Sequence, residues 1–251
     1  KGELDYVNVV ARTLQTALLG EPVRVIMGQE AKASWHYILG PGLTDPQQLK
    51  GKPVAIAMMG GTDHYASIVS LKHLGLDPNK DVTFVVIPDY PNMVAALKSG
   101  SVSGGGLISP ESNRAVSQGM KEVLWVGDIL ELPSGGLGTT VKKLQENPDQ
   151  AKRIIRAYLR SMAYARDHKD EAIEFSMKEF ELAKDVAEAV VTDELNAWAY
   201  DGNISDKGLE NQIGAWKLAG GPQKDATLQQ VKQAIDYTLL KEAQKELGLT
   251  K

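Results

Sequence analysis

The sequence predicts an α/β protein built from two similar lobes, and three observations lead to that prediction. Two stretches of the chain repeat the same order of strand, helix and strand. Short apolar strands alternate with helices up to Asp128, which is typical of sheets with right-handed crossover connections. The chain after Asp128 reads almost entirely as helix, so we expect that part to pack on the first lobe.

The first repeat unit begins with Gly2 to Val7, which opens a short apolar strand. Its helix, Ala11 to Leu19, ends at Gly20 and is followed by a strand over Val23 to Met27. Because each strand is short and apolar and the helix ends at a glycine, the unit is typical of one crossover connection.

The second repeat unit has the same order. Gly100 leads into a glycine-rich strand that ends near Ile108, and the helix over Glu111 to Gln118 ends at Gly119 before a strand at Val123 to Val126. Gly100 therefore corresponds to Gly2, and Gly119 corresponds to Gly20. A coincidental match of two short stretches is the alternative.

Two more strands and helices precede the second unit. Val54 to Met58 and Val82 to Ile87 read as strands, Thr62 is expected to cap a helix that runs to Leu74, and Pro91 starts a helix that closes at Gly100. The first unit has no such counterpart in front of it. We therefore expect the natural protein to be longer at its N-terminus.

The C-terminal part is predicted to be a set of helices. Asn147-Pro148-Asp149-Gln150 predicts a helix start with a capping box, followed by a helix to about His168. Four further helices are expected at residues 170–178, 184–199, 205–218 and 228–247.

Composition excludes several classes of protein. Among 251 residues the formal net charge is −4 and no basic block occurs, so no nucleic-acid partner is expected. The chain has no cysteine, its four histidines are scattered, and no phosphate-binding or hydrolase motif is present, so we expect neither a cofactor nor a metal. No apolar run approaches the roughly 20 residues that a membrane-spanning helix requires.

The candidate ligand-binding residues follow the predicted strands. Gly60, Gly61 and Thr62 join a strand to a helix N-terminus, where free N–H groups favour an anion; a plain turn capped by Thr62 is the alternative. Asn8 and Ser109 occupy corresponding places after their strands, where ligands of open α/β sheets lie, although ordinary turn residues are equally compatible with this position.

Five further residues are weaker candidates. They are His64, Trp35, Trp198, Glu111 and Arg114. Each has an ordinary structural alternative: His64 is partly exposed, the two tryptophans pack in the core, Glu111 is a turn residue, and Arg114 forms an ion pair with Glu111.

The chain resembles the solute-binding proteins for sulfonates, nitrate and taurine and their pyrimidine-binding relatives. It departs from that family at Ser103, where family members carry Asp, and at the glycines 104–106. The segments that carry the resemblance are Gly2-Glu3-Leu4-Asp5-Tyr6, Asp45 to Ala57, Gly60-Gly61-Thr62, Leu74 to Pro78, Asp81-Val82, Ala96 to Gly100 and Asn147-Pro148.

The resemblance implies a periplasmic binding protein-like type II fold, with parallel-rich mixed sheets in two α/β lobes joined by a two-strand hinge. Lobe one is expected to comprise residues 1–44 and 133–251, lobe two residues 45–132, with crossings at 40–44 and 129–136. It also implies a monomer that captures a small organic anion or heteroaromatic ligand. Its partner would be an ABC permease in the inner membrane, and its location the periplasm or, lipid-anchored, the outer face of the cytoplasmic membrane.

Two other functions stay open. One is an enzyme on the same fold, of the pyrimidine-precursor or menaquinone-pathway type, although the absence of cysteine weakens the former. The other is a ligand-sensing domain of a receptor. Lys251 reads as a free terminus after an amphipathic helix, which would favour a stand-alone binding protein over a receptor domain.

Overall fold

The computed structural model describes residues 4–249. The predicted correspondence of Gly2 with Gly100, the residues Gly2 and Glu3 of the first motif, and the predicted terminus at Lys251 lie outside the described residues. The strands are β1 (Tyr6–Val7), β2 (Val23–Gly28), β3 (Trp35–Leu39), β4 (Lys52–Ile56), β5 (Val82–Val86), β6 (Gly104–Ile108), β7 (Lys121–Trp125) and β8 (Gly136–Thr140).

Helices make up most of the remaining structure. They are α1 (Val10–Leu18), α2 (Thr62–His73), α3 (Tyr90–Ser99), α4 (Glu111–Ser117), α5 (Val141–Glu146), α6 (Pro148–Asp167), α7 (Lys169–Glu179), α8 (Lys184–Ala197), α9 (Asp206–Ala219), α10 (Leu228–Gln233) and α11 (Thr238–Glu246). Short 3-10 turns occupy Pro46–Leu49 and Val126–Asp128. Among residues 4–249, none of these helices combines the length and apolar character needed to cross a bilayer.

The strands form two sheets. One has the order β1-β8-β2 and the other the order β5-β4-β6-β3-β7. β4 pairs in parallel with β5 and β6, whereas β3 and β8 pair antiparallel with both of their neighbours. The predicted α/β architecture with mixed sheets is therefore confirmed.

The predicted repeat is visible in this topology. β1, α1 and β2 enclose the antiparallel strand β8, just as β6, α4 and β7 enclose the antiparallel strand β3. The two helices are followed by Gly20 at φ 94° and Gly119 at φ 87°, a conformation that glycine adopts without steric cost. Neither β3 nor β8 was predicted from the sequence as the strand that separates the two halves of its unit.

Two segments cross between the sheets, at residues 29–34 and 126–135, and they pair with each other. The N–H of Ala33 donates to the carbonyl of Leu130 at 2.9 Å, and that of Leu132 donates to Ala31 at 3.0 Å. The predicted first crossing at 40–44 is too late in the chain, because β3 belongs to the five-stranded sheet and not to the sheet of β1 and β2. The division of the chain into two lobes remains a prediction. Because β3 pairs within the five-stranded sheet, we assign it to the second lobe.

Helices cover the three-stranded sheet and hold its core. α6 and α11 pack against β2 and β8 around buried side chains that include Met27, Ile155, Leu159 and Leu240. A second core, with Val10, Leu14, Val25 and Trp216, lies under α1, α9 and α10. The predicted packing of the helical C-terminal part on this sheet holds for α6, α9, α10 and α11, whereas α7 and α8 form a separate core and α8 packs against α4 beside the other sheet.

Three local predictions for the helices are wrong. The predicted helix over 228–247 is interrupted, because Val25 of β2 donates its N–H to Ala234 and accepts one from Asp236. This pairing gives hydrogen-bond partners to the backbone N–H and carbonyl of Val25 at the open edge of β2. Asn147 makes no side-chain cap at the start of α6, and Thr62 is the first residue inside α2, while Gly61 occupies the N-cap position.

Candidate functional site

Most predicted site residues lie at one edge of the five-stranded sheet. β4 and β6 are adjacent and parallel, so the turn at residues 57–61 and the residues after Ile108 leave the sheet side by side. Trp35 is paired with Ile108 across the antiparallel strands β3 and β6, which places its side chain at the same edge. The structure therefore brings together Trp35, residues 60–62 and Ser109, which we call the carboxyl edge.

The turn between β4 and α2 uses its own glycine N–H groups. Gly60, at φ 75°, donates its N–H to His64 Nδ1 at 3.0 Å, and Gly61 donates to the carbonyl of Met58 at 3.0 Å. The prediction that these two glycines offer free N–H groups is therefore wrong. The carboxylate of Asp63 folds back and accepts the N–H of Ala57.

The donors that remain free belong to the first turn of α2. Within residues 4–249, the backbone N–H groups of Thr62, Asp63 and His64 have no acceptor, as expected for the start of a helix without a side-chain cap. Such a helix end attracts negative charge, although the carboxylate of Asp63 already provides part of it. This end of α2 lies beside the carboxyl edge.

His64 has a structural role in this turn. Its side chain is only 7% exposed, its Nδ1 accepts the Gly60 N–H, and its ring meets Phe84 edge-on at 4.6 Å between centroids. Burial lowers the pKa of His64, while the charge of Asp63 acts in the opposite direction. A neutral ring with Nδ1 as acceptor fits this setting, so Nδ1 is occupied by the turn.

An apolar wall borders the same edge. Trp35 is buried and donates its Nε1–H to the hydroxyl of Tyr90 at 3.0 Å, and Tyr90 is the first residue of the helix after β5. Met58 and Met59, in the turn after β4, are 61% and 55% exposed. Sequence reasoning missed Tyr90 and the two methionines, although the position of each after a strand of the parallel part of the sheet was a usable signal.

Ser109 is held from a distant part of the chain. Its hydroxyl donates to Asp193 Oδ2 at 2.8 Å. Glu111, two residues later, forms an ion pair with Arg114 at 2.8 Å, which is the i,i+3 alternative expected from the sequence. Arg114 is thus partly neutralised and not available as an isolated positive charge.

Asn8 lies on the other sheet, next to the crossing segments. Its Nδ2 donates to Gln29 Oε1 at 3.1 Å, and its Oδ1 accepts the N–H of Gly136. The first of these hydrogen bonds is exposed and the second is partly buried. Together they connect the end of β1 with the first crossing segment, which begins at Gln29, and with Gly136 at the start of β8.

Trp198 and Arg114 line a different cavity. This space of about 910 Å³ lies between α4, α6, α7 and α8, and its lining includes Phe175 and Phe180. Trp198 donates its Nε1–H to Glu194 at 3.0 Å. Burial raises the pKa of Glu194, and the nearby charge of Glu30 raises it further. Within residues 4–249, neither Trp198 nor Arg114 forms a hydrogen bond or ion pair with residues 60–62.

Comparison with known proteins places the chain in a family. The sequence profile of the NMT1-like family matches residues 32–178, which is more than half of the chain. The protein belongs to the NMT1-like family. Its fold is the periplasmic-binding-protein fold: it superposes on the periplasmic sulfonate-binding protein SsuA of Methylobacillus flagellatus KT with a TM-score of 0.77 at 19% identity, covering 99% of this chain and 77% of the other.

Two curated proteins are similar to this NMT1-like chain in sequence. One is named as an aliphatic sulfonates-binding protein of Bacillus subtilis strain 168 and is 27% identical over 209 residues, or 82% of this chain and 60% of that protein. The other is the riboflavin-binding protein RibY of Chloroflexus aurantiacus, 25% identical over 162 residues, or 63% of this chain and 46% of RibY. The chain thus spans about half to three fifths of the length of these relatives.

The NMT1-like protein also has a buried histidine that the sequence did not single out. His36 on β3 is 3% exposed, and its Nδ1 lies 3.0 Å from Glu122 Oε1 on β7. Its Nε2 lies 3.2 Å from Asp193 Oδ2, an ion-pair distance without hydrogen-bond alignment. Burial alone would lower the pKa of His36, but Asp193 and Glu122 outweigh it and raise the pKa to about 9.

We expect this histidine to make the stability of the NMT1-like protein depend on pH. Because the pKa is raised from 6.5 to about 9, the contribution of His36 is complete below pH 6.5, declines as the pH rises and is lost above about 9. It should amount to about 2 kcal/mol, less than the full shift implies because solvent screens Glu122, which is 34% exposed. Urea unfolding between pH 6 and 10 measures it.

The control for this prediction is His36→Gln, whose unfolding free energy should lack the decline between pH 6.5 and 9. Parallel curves for the two proteins would contradict the assignment. If the variant does not fold, the NMR titration of the His36 ring in the natural protein measures the same midpoint directly.

Proposed function

We propose that this protein is the solute-binding component of an ABC importer, and that it holds a small ligand at the carboxyl edge of the five-stranded sheet, facing the other sheet across the hinge. The observation that carries the proposal is the convergence of a helix N-terminus, the Trp35–Tyr90 pair and Ser109 at that edge. The names of the two curated relatives and of the superposed structure support it.

The proposed ligand carries a polar or anionic head and an apolar body. The free N–H groups of Thr62, Asp63 and His64 suit the head, in the manner of anion sites at helix N-termini. The exposed side chains of Met58 and Met59 suit the body, since methionine adapts to irregular apolar surfaces. Sulfonates and carboxylates with an alkyl or aromatic part combine both features.

The remaining parts of the proposal follow from this role. A binding protein of this kind works as a monomer in the periplasm or, lipid-anchored, at the outer face of the cytoplasmic membrane. It closes over its ligand by hinge motion at the paired segments 31–33 and 130–132 and delivers it to a permease. No covalent step and no cofactor is required.

A heteroaromatic ligand is the second candidate, favoured by one observation. Trp35 and Tyr90 place aromatic rings at the edge where Met58 and Met59 are exposed, and a small inorganic anion such as nitrate has no apolar part to contact these side chains. The similarity to a riboflavin-binding protein points in the same direction.

A thermal-shift screen distinguishes these ligands. The purified protein is heated with ethanesulfonate, taurine, nitrate, an aromatic carboxylate, riboflavin and a pyrimidine, each at a concentration series. A ligand at about a hundred times its Kd adds roughly 2.7 kcal/mol to the stability of the folded state, so a true ligand raises the melting temperature by several degrees. A flat response to all of them would contradict the proposal, and turnover of any of them would favour an enzyme.

A further inference from the structure

One carboxylate connects the C-terminal helices to the proposed ligand edge. Asp193 projects from α8 and accepts the hydroxyl of Ser109 at 2.8 Å while also lying 3.2 Å from the buried ring of His36. Ser109 is the first residue after β6, and His36 lies on the adjacent strand β3. Asp193 therefore holds two neighbouring strands of the five-stranded sheet from outside that sheet.

The helix that carries Asp193 is itself well anchored. α7 and α8 form a pair with its own apolar core, in which Ile173, Val186, Ala187 and Val191 are buried. α8 also packs against α4, which begins two residues after Ser109. The backbone that carries Asp193 is thus held by packing, and the half-buried Asp193 side chain, 24% exposed, is held by its contacts with Ser109 and His36.

The hydrogen bond decides what Ser109 can offer to a ligand. A serine hydroxyl has one hydrogen to donate and two lone pairs to accept with. Because the hydrogen of Ser109 is used by Asp193, the hydroxyl of Ser112, 3.4 Å away, is the donor in the contact between the two serines. The oxygen of Ser109 then has no hydrogen and only one lone pair to present to a molecule at the carboxyl edge. Ser109 would then accept a hydrogen bond from an N–H or O–H group and would repel an oxyanion.

We propose that Asp193 is a positioning residue that fixes the turn between β6 and α4 and sets Ser109 as a hydrogen-bond acceptor, so that the site prefers anions which also carry a hydrogen-bond donor. The ligand preference rests on the proposed function. The positioning of the turn does not, because it is a property of the protein without ligand.

Other charged groups face the same cluster. A cavity of about 720 Å³ beside His36 is lined by Lys169 and Asp170 from α7, by Asp185 and Glu188 from α8, and by Glu122 from β7. Asp185 lies on the same helix as Asp193 and lines the same cavity, yet among the described residues it forms no hydrogen bond or ion pair with Ser109 or His36. Asp185→Asn is therefore a matched control for Asp193→Asn.

The first experiment measures hydrogen exchange in the protein without ligand. In Asp193→Asn we expect the hydrogen-bonded backbone amides of residues 114–117 in α4, where Arg114 donates to the carbonyl of Pro110, to exchange about tenfold faster, which corresponds to 1.4 kcal/mol of local stability. The titration midpoint of His36 should fall by about one pH unit or more. Asp185→Asn should leave both unchanged. Unchanged exchange in Asp193→Asn would overturn the positioning role.

The second experiment compares three matched sulfonates by calorimetry: ethanesulfonate, which lacks a donor on its second carbon, and isethionate and taurine, which carry a hydroxyl and an ammonium group there. The natural protein should prefer the two donor-bearing ligands by about tenfold. Asp193→Ala should lose this preference, because no acceptor is left for the Ser109 hydrogen, whereas the amide oxygen introduced by Asp193→Asn can still accept it. Asp193→Glu should keep part of the preference. If Asp193→Ala does not fold, Ser109→Ala replaces it and should lose the preference as well.

The outcomes separate the two proposals. A preference that persists in Asp193→Ala and in Ser109→Ala would overturn the acceptor role of Ser109. Failure of the natural protein to bind any of the three sulfonates would count against the ligand class, and the exchange experiment would still decide the positioning role.

Discussion

Replacing Gly136 by alanine should lower the free energy of unfolding by about 3–5 kcal/mol, the largest single effect that we expect on stability. Gly136 starts β8 at φ 151°, a conformation that residues with a side chain rarely adopt. A Cβ atom there would collide with the carbonyl oxygen of Met27 and lie 2.7 Å from Val10 Cγ2. Both neighbours belong to buried core residues that cannot move without disturbing β2 or α1.

Gly119→Ala is the matched control for this substitution. Gly119 also has a positive φ, 87°, but a Cβ atom there would meet nothing within 4 Å. It should cost only about 1 kcal/mol, from the backbone conformation alone. Urea unfolding of both variants measures the difference, and equal losses would show that the collision in β8 is relieved by small shifts.

The two glycines of β8, Gly136 and Gly138, explain why this strand was not predicted from the sequence. Gly136-Leu137-Gly138-Thr139-Thr140 shows neither the alternation nor the apolar run that indicates a strand. It forms one because β1 and β2 pair with it from both sides, and because α1 approaches so closely that a Cβ on Gly138 would collide with Thr13. A strand that forms because two neighbouring strands pair with it is only weakly indicated by its own residues.

The C-terminal helices show the opposite failure. The pattern over 228–247 is helical throughout, and α10 and α11 together cover most of it. The break at residues 234–237 arises because β2 lies at the edge of its sheet and its Val25 backbone groups pair with Ala234 and Asp236. An edge strand that takes a partner from a distant segment cannot be recognised from local periodicity.

The candidate site was predictable where it depends on strand ends. Residues 60–62 and Ser109 follow strands whose existence the sequence indicated, and the sheet brings them together as expected for an open α/β sheet. The contacts that orient them were not predictable. Asp193 lies 84 positions from Ser109, and Tyr90 lies 55 positions from Trp35, so no spacing rule connects these pairs.

The largest expected effect on ligand binding comes from Gly61→Ala. A Cβ atom on Gly61 would lie 2.7 Å from Asp63 Oδ1 and 3.1 Å from the carbonyl oxygen of Met58. To admit it the Asp63 carboxylate must move, and because that carboxylate accepts the N–H of Ala57, we expect the turn and the first N–H groups of α2 to shift with it. We expect the affinity for whichever ligand stabilises the natural protein to fall at least tenfold, about 1.4 kcal/mol, as measured by calorimetry.

Gly75→Ala tests whether that loss is specific to the turn, because Gly75 follows the other end of the same helix. Its φ of 78° gives the substitution a backbone cost of about 1 kcal/mol, while the nearest atom to a new Cβ is Gln47 Nε2 at 3.4 Å. The variant should therefore lose stability and keep its affinity. If both substitutions weaken binding equally, the ligand responds to the stability of α2 as a whole, and the N–H groups of its first turn do not hold the ligand head.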